Sequence, residues 1–575
     1  YLCELKEAQI RDGLHVFGHS PTGRLRRDTL LALARHPAGD GQGARQGLTR
    51  ALAADLELGT GFDPLDADWA AAWEGPRPAA LAQVDAGAWR TTGDTRERLE
   101  LLALQVLDHG LPAADDMAWP ATRAVLARID AELKPRLDAC GEQELYQLMR
   151  GLCGRFVPAG PSGAPTRGRP DVLPTGRNFY SVDTRAVPTQ TSWTLGLRSA
   201  ERLVERHVQE HGDFPRAIGL SVWGTATMRT GGDDIAQAFA LIGVRPKWAD
   251  GSHRVSDFEI LPMSLFDRPR IDVTLRVSGF FRDAFANLIR LFDAAVQAVA
   301  ALDEPADVNP IRARILGEAS ALEGRGFASA EARRQAGHRV FGAKPGAYGA
   351  GLQGLIEGRN WDSDADLAAA YLTWGGHAYG QDDYGTPASD SFAKRLAGID
   401  LVMQNQDNRE HDLLDSDDYY QFQGGMSAAV RHLSGKQPAL YFGDHSNPGS
   451  PAIRSLAEEI SRVVRSRATN PKWIEGVMRH GYKGAFEMAA TVDFLFAFDA
   501  TARVVRDDQY ARVTDAYLED ATARDFLQRH NPEALAGICE RLLEAMDRGL
   551  WQSPGDYRGR VEQHLLAAEQ RVEER

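Results

Sequence analysis

The sequence predicts a helix-rich, multi-domain α/β protein, in which a central parallel-sheet domain of strand-loop-helix units is flanked by mainly helical segments. Three observations predict it. Two strand-loop-helix units follow one another between residues 217 and 301, and consecutive units of this kind build parallel sheets with crossover helices. Apolar residues recur at helical spacing on both sides of that region. The chain has 575 residues, 43% hydrophobic and 25% charged, which is enough for about three to four cores.

Taken in order, residues 1–157 read as a mainly helical domain, with three-and-four spacing of apolar residues in Asp28 to Arg35, Arg96 to Leu107 and Ala121 to Leu133. Residues 158–176 hold prolines 158, 161, 165, 170 and 174 with Gly160, Gly163 and Gly168, a Gly/Pro-rich loop at a domain edge. Residues 177–310 form the expected α/β domain. There Ala217-Ile-Gly-Leu-Ser-Val222 leads through a polar, Gly-containing turn into the helix Asp233 to Ile242, and Ile271-Asp-Val-Thr-Leu-Arg-Val277 leads through Ser278-Gly279-Phe280-Phe281-Arg282 into the helix Asp283 to Ala301. Ligands of open α/β sheets collect at the carboxyl ends of strands, so both connecting loops are expected site walls. Residues 311–575 read as a second mainly helical domain, broken by glycine-rich turns at 342–349 and 374–380.

The formal net charge of -14 argues against a nucleic-acid binder, because phosphate contacts need an excess of Lys and Arg. An anionic ligand must then meet a local basic cluster. Four cysteines, Cys3, Cys140, Cys153 and Cys539, are too scattered for a disulfide framework or a CxxC zinc site, and fit a reducing cytoplasm. No run approaches the length of a membrane span. The opening Tyr1-Leu2-Cys3-Glu4 has neither a basic leader nor an initiator Met, so the chain is expected to begin inside a longer polypeptide. No phosphate-binding loop occurs, since Gly435-Lys436 is followed by Gln437, and ATP hydrolysis on this chain is not expected. Gly349-Ala-Gly351-Leu-Gln-Gly354 matches the dinucleotide pattern in letters but follows a glycine-rich turn instead of a strand.

The most unusual segment runs from Gln404 to Met426 and carries six acidic residues. A helix over 408–421 would set His411, Asp415 and Asp418 at i, i+4 and i+7 on one face, able to take protons or hold a divalent ion transiently. A solvated acidic face is the equal alternative. Against it stand Tyr419, Tyr420 and Phe422 directly behind the charges, and the Gly424-Gly425 break. His377, His445 and His480 sit in Gly-bracketed settings and are further candidate ligands; each taken singly is more often a hydrogen-bonded structural histidine. Arg177, Arg229 and Arg282 each lie near glycine, which suits carboxylate recognition, with structural ion pairs as the competing reading.

A series of blocks then carries a resemblance. Glu4-Leu-Lys-Glu-Ala-Gln-Ile-Arg-Asp-Gly-Leu-His15, Thr175-Gly-Arg-Asn-Phe-Tyr-Ser-Val-Asp183, Trp223 to Asp234, Ile271 to Asp283, the His411 segment and Pro471 to Phe486 resemble, in order, blocks of the CobN-type large subunits of aerobic cobaltochelatase. The magnesium-chelatase large subunits are similar in the first block, whereas Gln404 to Gly425 and Arg479-His-Gly-Tyr-Lys483 look more like the cobalt branch.

The resemblance implies a macrocycle-binding subunit that inserts Co2+, as substrate, into hydrogenobyrinic acid a,c-diamide during aerobic cobalamin biosynthesis. ATP-Mg2+ would be used by an AAA+ motor subunit (CobS-like) and its partner (CobT-like), not by this chain. It nominates Glu4 with His15 as one wall, and His411, Asp415, Asp417 and Asp418 as the other. Arg177, Tyr180, Trp223, Arg229, Arg282 and Lys483 would hold the macrocycle, and His411, Asp415, Asp418, His377, His445 and His480 would meet the metal transiently. Magnesium insertion into protoporphyrin IX, a non-catalytic carrier or scaffold, and a metal-dependent hydrolase using the His411 cluster remain as alternatives.

Overall fold

The computed structural model describes residues 14–39, 41–111, 119–179 and 182–573. The chain divides into two compact units, one comprising residues 1–181 with 407–410 and 446–450, the other 182–406, 411–445 and 451–575.

The first unit is helical. Helices Gly23–Arg35, Leu48–Asp55, Thr92–His109, Pro120–Arg128 and Cys140–Leu152 pack Leu30, Leu52, Leu99, Leu102, Val125 and Cys140 into one core. Thr91 starts the third of these helices with a reciprocal capping box to Asp94, which satisfies two amide donors that a helix start otherwise leaves open. Within the expected 158–176 loop the chain makes two short 3-10 turns, Pro165–Arg167 and Pro170–Val172, and strand β1 (Ala159–Gly160) pairs in parallel with β2 (Asn178–Phe179).

The second unit is built on an eight-stranded sheet. Its strands are β3 (Ala217–Val222), β6 (Asp272–Val277), β7 (Val340–Gly342), β8 (His377–Tyr379), β9 (Tyr384–Pro387), β10 (Leu401–Gln406), β11 (Ala439–Asp444) and β12 (Ala452–Ser455), in the order β12-β11-β10-β3-β6-β7-β8-β9. The five strands from β11 to β7 are parallel, and β12, β8 and β9 are antiparallel additions at the edges. A separate hairpin pairs β4 (Val244–Trp248) with β5 (Val255–Ile260). Every residue of β3 and β6 is buried, as befits parallel strands covered by helices on both faces; β3 is apolar but for Ser221, whereas β6 also carries Asp272, Thr274 and Arg276 into the interior.

The expected boundary at residue 310 is corrected. Six of the eight sheet strands lie beyond it, so residues 311–575 do not form a separate helical domain. From β3 the chain steps to β6 and β7, then returns to the other side of β3 as β10 and moves outward to β11. Neighbours β3 and β10 therefore define the point where the winding reverses. In open α/β sheets the carboxyl ends of strands at such a reversal open the crevice where ligands bind.

Candidate functional site

Two segments leave that crevice. Trp223 follows β3, and the segment after β10 runs to the helix that starts at Asp417. The helix expected over 408–421 is corrected: 407–416 is irregular, and helical structure begins only at Asp417, where the Ser416 hydroxyl accepts from the Asp418 amide at 3.3 Å. The acidic side chains themselves prevent the helix, because short carboxylates bond neighbouring amides in competition with it. Asp412 accepts from the Leu414 amide at 2.9 Å, and Asp415 accepts from the Asp412 amide at 2.8 Å. Buried Arg467 then bonds Asp412 through Nε and through Nη2, the latter at 2.8 Å, and lies 3.6 Å from Asp415. Those carboxylates raise the Arg467 pKa despite burial, which opposes the charge. Asp415 thus fastens the loop, and exposed His411 shares no helical face with Asp415 and Asp418.

Beyond the cap, a π-helical turn over Tyr420–Gly424 brings aromatic rings against Trp223. Phe422 lies 4.5 Å from the Trp223 ring, and Tyr419 meets it edge-on at 5.9 Å. Behind Phe422 sits the fully buried Arg276, its guanidinium 4.7 Å from that ring and 5.6 Å from Tyr371. Arg276 donates to the Val277 and Gly349 carbonyls at 2.9 and 3.3 Å. Two carboxylates border this aromatic wall. Asp417 accepts from Gln421 Nε2 at 2.8 Å. Asp418 is half-buried, and burial, reinforced by the charge of Asp417, pushes its carboxyl up to about 6. A carboxyl with that pKa changes protonation near neutrality, the range in which a side chain acts best as a general base.

Sequence reasoning overlooked a buried polar network on the same strand ends. His445 Nε2 lies 2.8 Å from the Ser199 hydroxyl and its Nδ1 lies 3.7 Å from Asp233. Gln237 donates to Ser199 at 3.0 Å, while Asn405 donates to Asp234 at 2.9 Å and to Gln237 at 2.7 Å. His445 is therefore a buried, hydrogen-bonded histidine. The sequence signal was the pair of amides at Gln404-Asn405, too polar for the middle of an ordinary buried strand.

The remaining nominated residues fall on separate elements. His377 opens β8 and His480 precedes the helix Gly481–Ala502; burial lowers the pKa of each. Among the described residues no three His, Cys, Asp or Glu side chains converge on a metal position, so the nominated histidines and aspartates do not form one ligand set. Arg282 is fully buried and spent within the chain. It pairs with Asp283 at 2.7 and 2.9 Å and donates to the carbonyls of Ala343, Lys344 and Ala347 at 3.1, 2.8 and 2.9 Å. Exposed Lys483 pairs with Glu487 at 2.6 Å and lies over the Phe486 ring. Arg229 is half-buried on the helix Gly224–Thr230.

In the first unit, exposed Arg177 donates to the Leu173 carbonyl at 3.4 Å. His15 reaches Glu144 at 3.2 Å, and this buried carboxylate also accepts from the Gly18 amide and the Thr175 hydroxyl at 2.7 and 2.6 Å. Glu4 and Tyr180 lie outside the described residues. No helix among the described residues is long and apolar enough to cross a membrane.

Comparison with known proteins extends this geometry. The family model described as CobN/Magnesium Chelatase matches residues 1–558. The chain is 64% identical over 571 residues to the aerobic cobaltochelatase subunit CobN of Pseudomonas aeruginosa, covering 99% of this chain and 46% of that protein. It is 56% identical over 567 residues to the subunit of the same name from Sinorhizobium sp, covering 96% and 44%. The solved catalytic subunit of cobaltochelatase from Mycobacterium tuberculosis superposes with a TM-score of 0.87 at 46% identity, over 99% of this chain and 46% of that one. Magnesium-chelatase H subunits match at 32% identity. The chain spans about half the length of the curated relatives it matches. On these matches the chain belongs to the CobN/magnesium chelatase family.

Proposed function

We propose that this chain is the macrocycle-binding part of a cobaltochelatase, a ligase that forms nitrogen-metal bonds by inserting Co2+ into hydrogenobyrinic acid a,c-diamide. The observation that carries the reading is the meeting, at the reversal point of the sheet, of an aromatic wall (Trp223, Tyr419, Phe422) and a carboxyl, Asp418, raised to about 6. A tetrapyrrole presents a broad apolar plane, and burying it against aromatic rings supplies affinity. Insertion of a divalent ion replaces two ring N–H protons, and Asp418 is the group suited to accept one. Asp417, held by Gln421, is a second carboxylate beside it on the path of an approaching cation. Cobalt is favoured over magnesium by the higher identity to the cobalt subunits. ATP hydrolysis falls to an AAA+ motor and its partner subunit, since this sequence has no phosphate-binding loop.

The test is Asp418→Asn in a complex reconstituted with both partner subunits. Macrocycle affinity is expected to stay at the parental level, while insertion slows by about 10²-fold or more, the usual effect of removing a positioned proton acceptor. Insertion at the parental rate refutes the assignment of the base.

A further inference from the structure

Beside the crevice, three exposed aromatic residues line the carboxyl edge of β6 and β7. Phe280 is 38% exposed, Tyr348 60% and Trp374 41%. Their placement is built in by the backbone. A Cβ on Gly224, the residue after Trp223, would come within 2.7 Å of the Phe280 ring, and a Cβ on Gly279 would come within 2.4 Å of the Tyr348 ring. Glycine at both positions lets these rings lie flat on the chain. Tyr348 is then fixed at both ends, its hydroxyl donating to Asp283 at 2.9 Å and its carbonyl accepting from the Trp374 indole at 3.0 Å. The result is a rigid apolar ledge running from Trp223 toward Trp374. Large aromatic groups left in water on a rigid frame mark a binding surface.

One cation stands at the rim of this ledge. Lys344 lies in the 343–347 turn, whose carbonyls the Arg282 guanidinium holds. The Lys344 side chain is exposed, and its ammonium has no hydrogen-bond or ion-pair partner among the described residues. Nearby His377 registers the charge: after burial, Lys344 is the largest influence lowering its pKa. The Nδ1 atom of His377 is buried without a partner, a second polar group at the same edge. Two of the basic residues that the sequence nominated in this unit, Arg282 and Lys483, are by contrast already paired with Asp283 and Glu487.

We infer that the Phe280-Tyr348-Trp374 ledge and Lys344 form a subsite for a carboxylate-bearing arm at the periphery of an apolar ring. The inference rests on the proposed function and names the edge of the substrate that this part of the site would read. The ledge covers the apolar body of the arm, and the ammonium meets its charge. Free-acid and amidated arms would thus be told apart here, because an amide leaves the ammonium without a counter-charge.

Equilibrium binding to this chain, followed by tryptophan quenching, tests it with two probes: the macrocycle as its free acid, and the same ring with every acid arm converted to an amide. Lys344→Gln is expected to weaken free-acid binding by about three- to fivefold at low salt, the size of an exposed ion contact. It should leave amide binding unchanged and reduce the salt dependence seen with the parent. Tyr348→Leu is expected to weaken both probes. Unchanged free-acid affinity in Lys344→Gln overturns the subsite, and so does equal weakening of both probes. A parent chain that binds neither probe overturns the proposed function itself, whereas a parent that binds while Lys344→Gln matches it overturns only the subsite.

Discussion

At Asp418 burial and the neighbouring Asp417 charge act in the same direction, both disfavouring the carboxylate and raising the pKa to about 6. Two consequences follow from one shift. Insertion that uses this base should slow as pH falls below about 6, because the carboxyl is then already protonated, and the pH-rate profile of Asp418→Asn should lose that limb. Stability moves the other way. Between about pH 4 and 6 the folded chain binds more protons at this site than the unfolded chain, so stability falls as pH rises through that window. Asp418→Asn is therefore expected to stabilise the protein by about 1 to 2 kcal/mol above pH 6 and to have little effect below pH 4, measured by denaturant midpoints. Equal midpoints at pH 7 would show that the carboxyl is solvated and its pKa ordinary. The residue type was legible in the sequence, but the pKa was not: it depends on how far the folded chain buries the carboxyl.

The 411–416 segment shows how an element can defeat a sequence pattern. His411, Asp415 and Asp418 have helical spacing, yet Asp412 and Asp415 bond local amides, and Arg467, 55 residues from Asp412, neutralises them. Spacing reports a face only if the backbone is helical, and short carboxylates at a strand exit favour a turn. Arg467→Ala would leave two poorly solvated carboxylates without their partner. Breaking such a pair from one side costs about 3 to 5 kcal/mol, so the denaturation midpoint should drop markedly and the segment should become sensitive to limited proteolysis. A midpoint within error of the parent would show that water replaces the guanidinium at no cost.

Across the whole molecule, the absence of a phosphate-binding loop and the net charge of -14 bear on what the chain does alone. It should bind the macrocycle without nucleotide and release no phosphate from ATP; steady ATP turnover by the purified chain would contradict the assignment of that step to partner subunits. By itself the sequence determined the α/β class, the helical first unit and the strands β3 and β6, because successive strand-loop-helix units mark a parallel sheet and a helix must repeat at 3.6 residues. It also singled out the Trp223 and His411–Phe422 segments, whose aromatic rings meet in the structure. Only tertiary structure decided the rest. Strands β10 and β11 carry amides and glycine that local patterns read as helix or loop, and their place in the sheet comes from partners far along the chain, as when Ser199 meets His445 across 246 positions. The winding reversal between β3 and β10, which brings Trp223 to Phe422, arises from the order of strands in space. That order is set by which buried surfaces fit together, and no local window of sequence contains it.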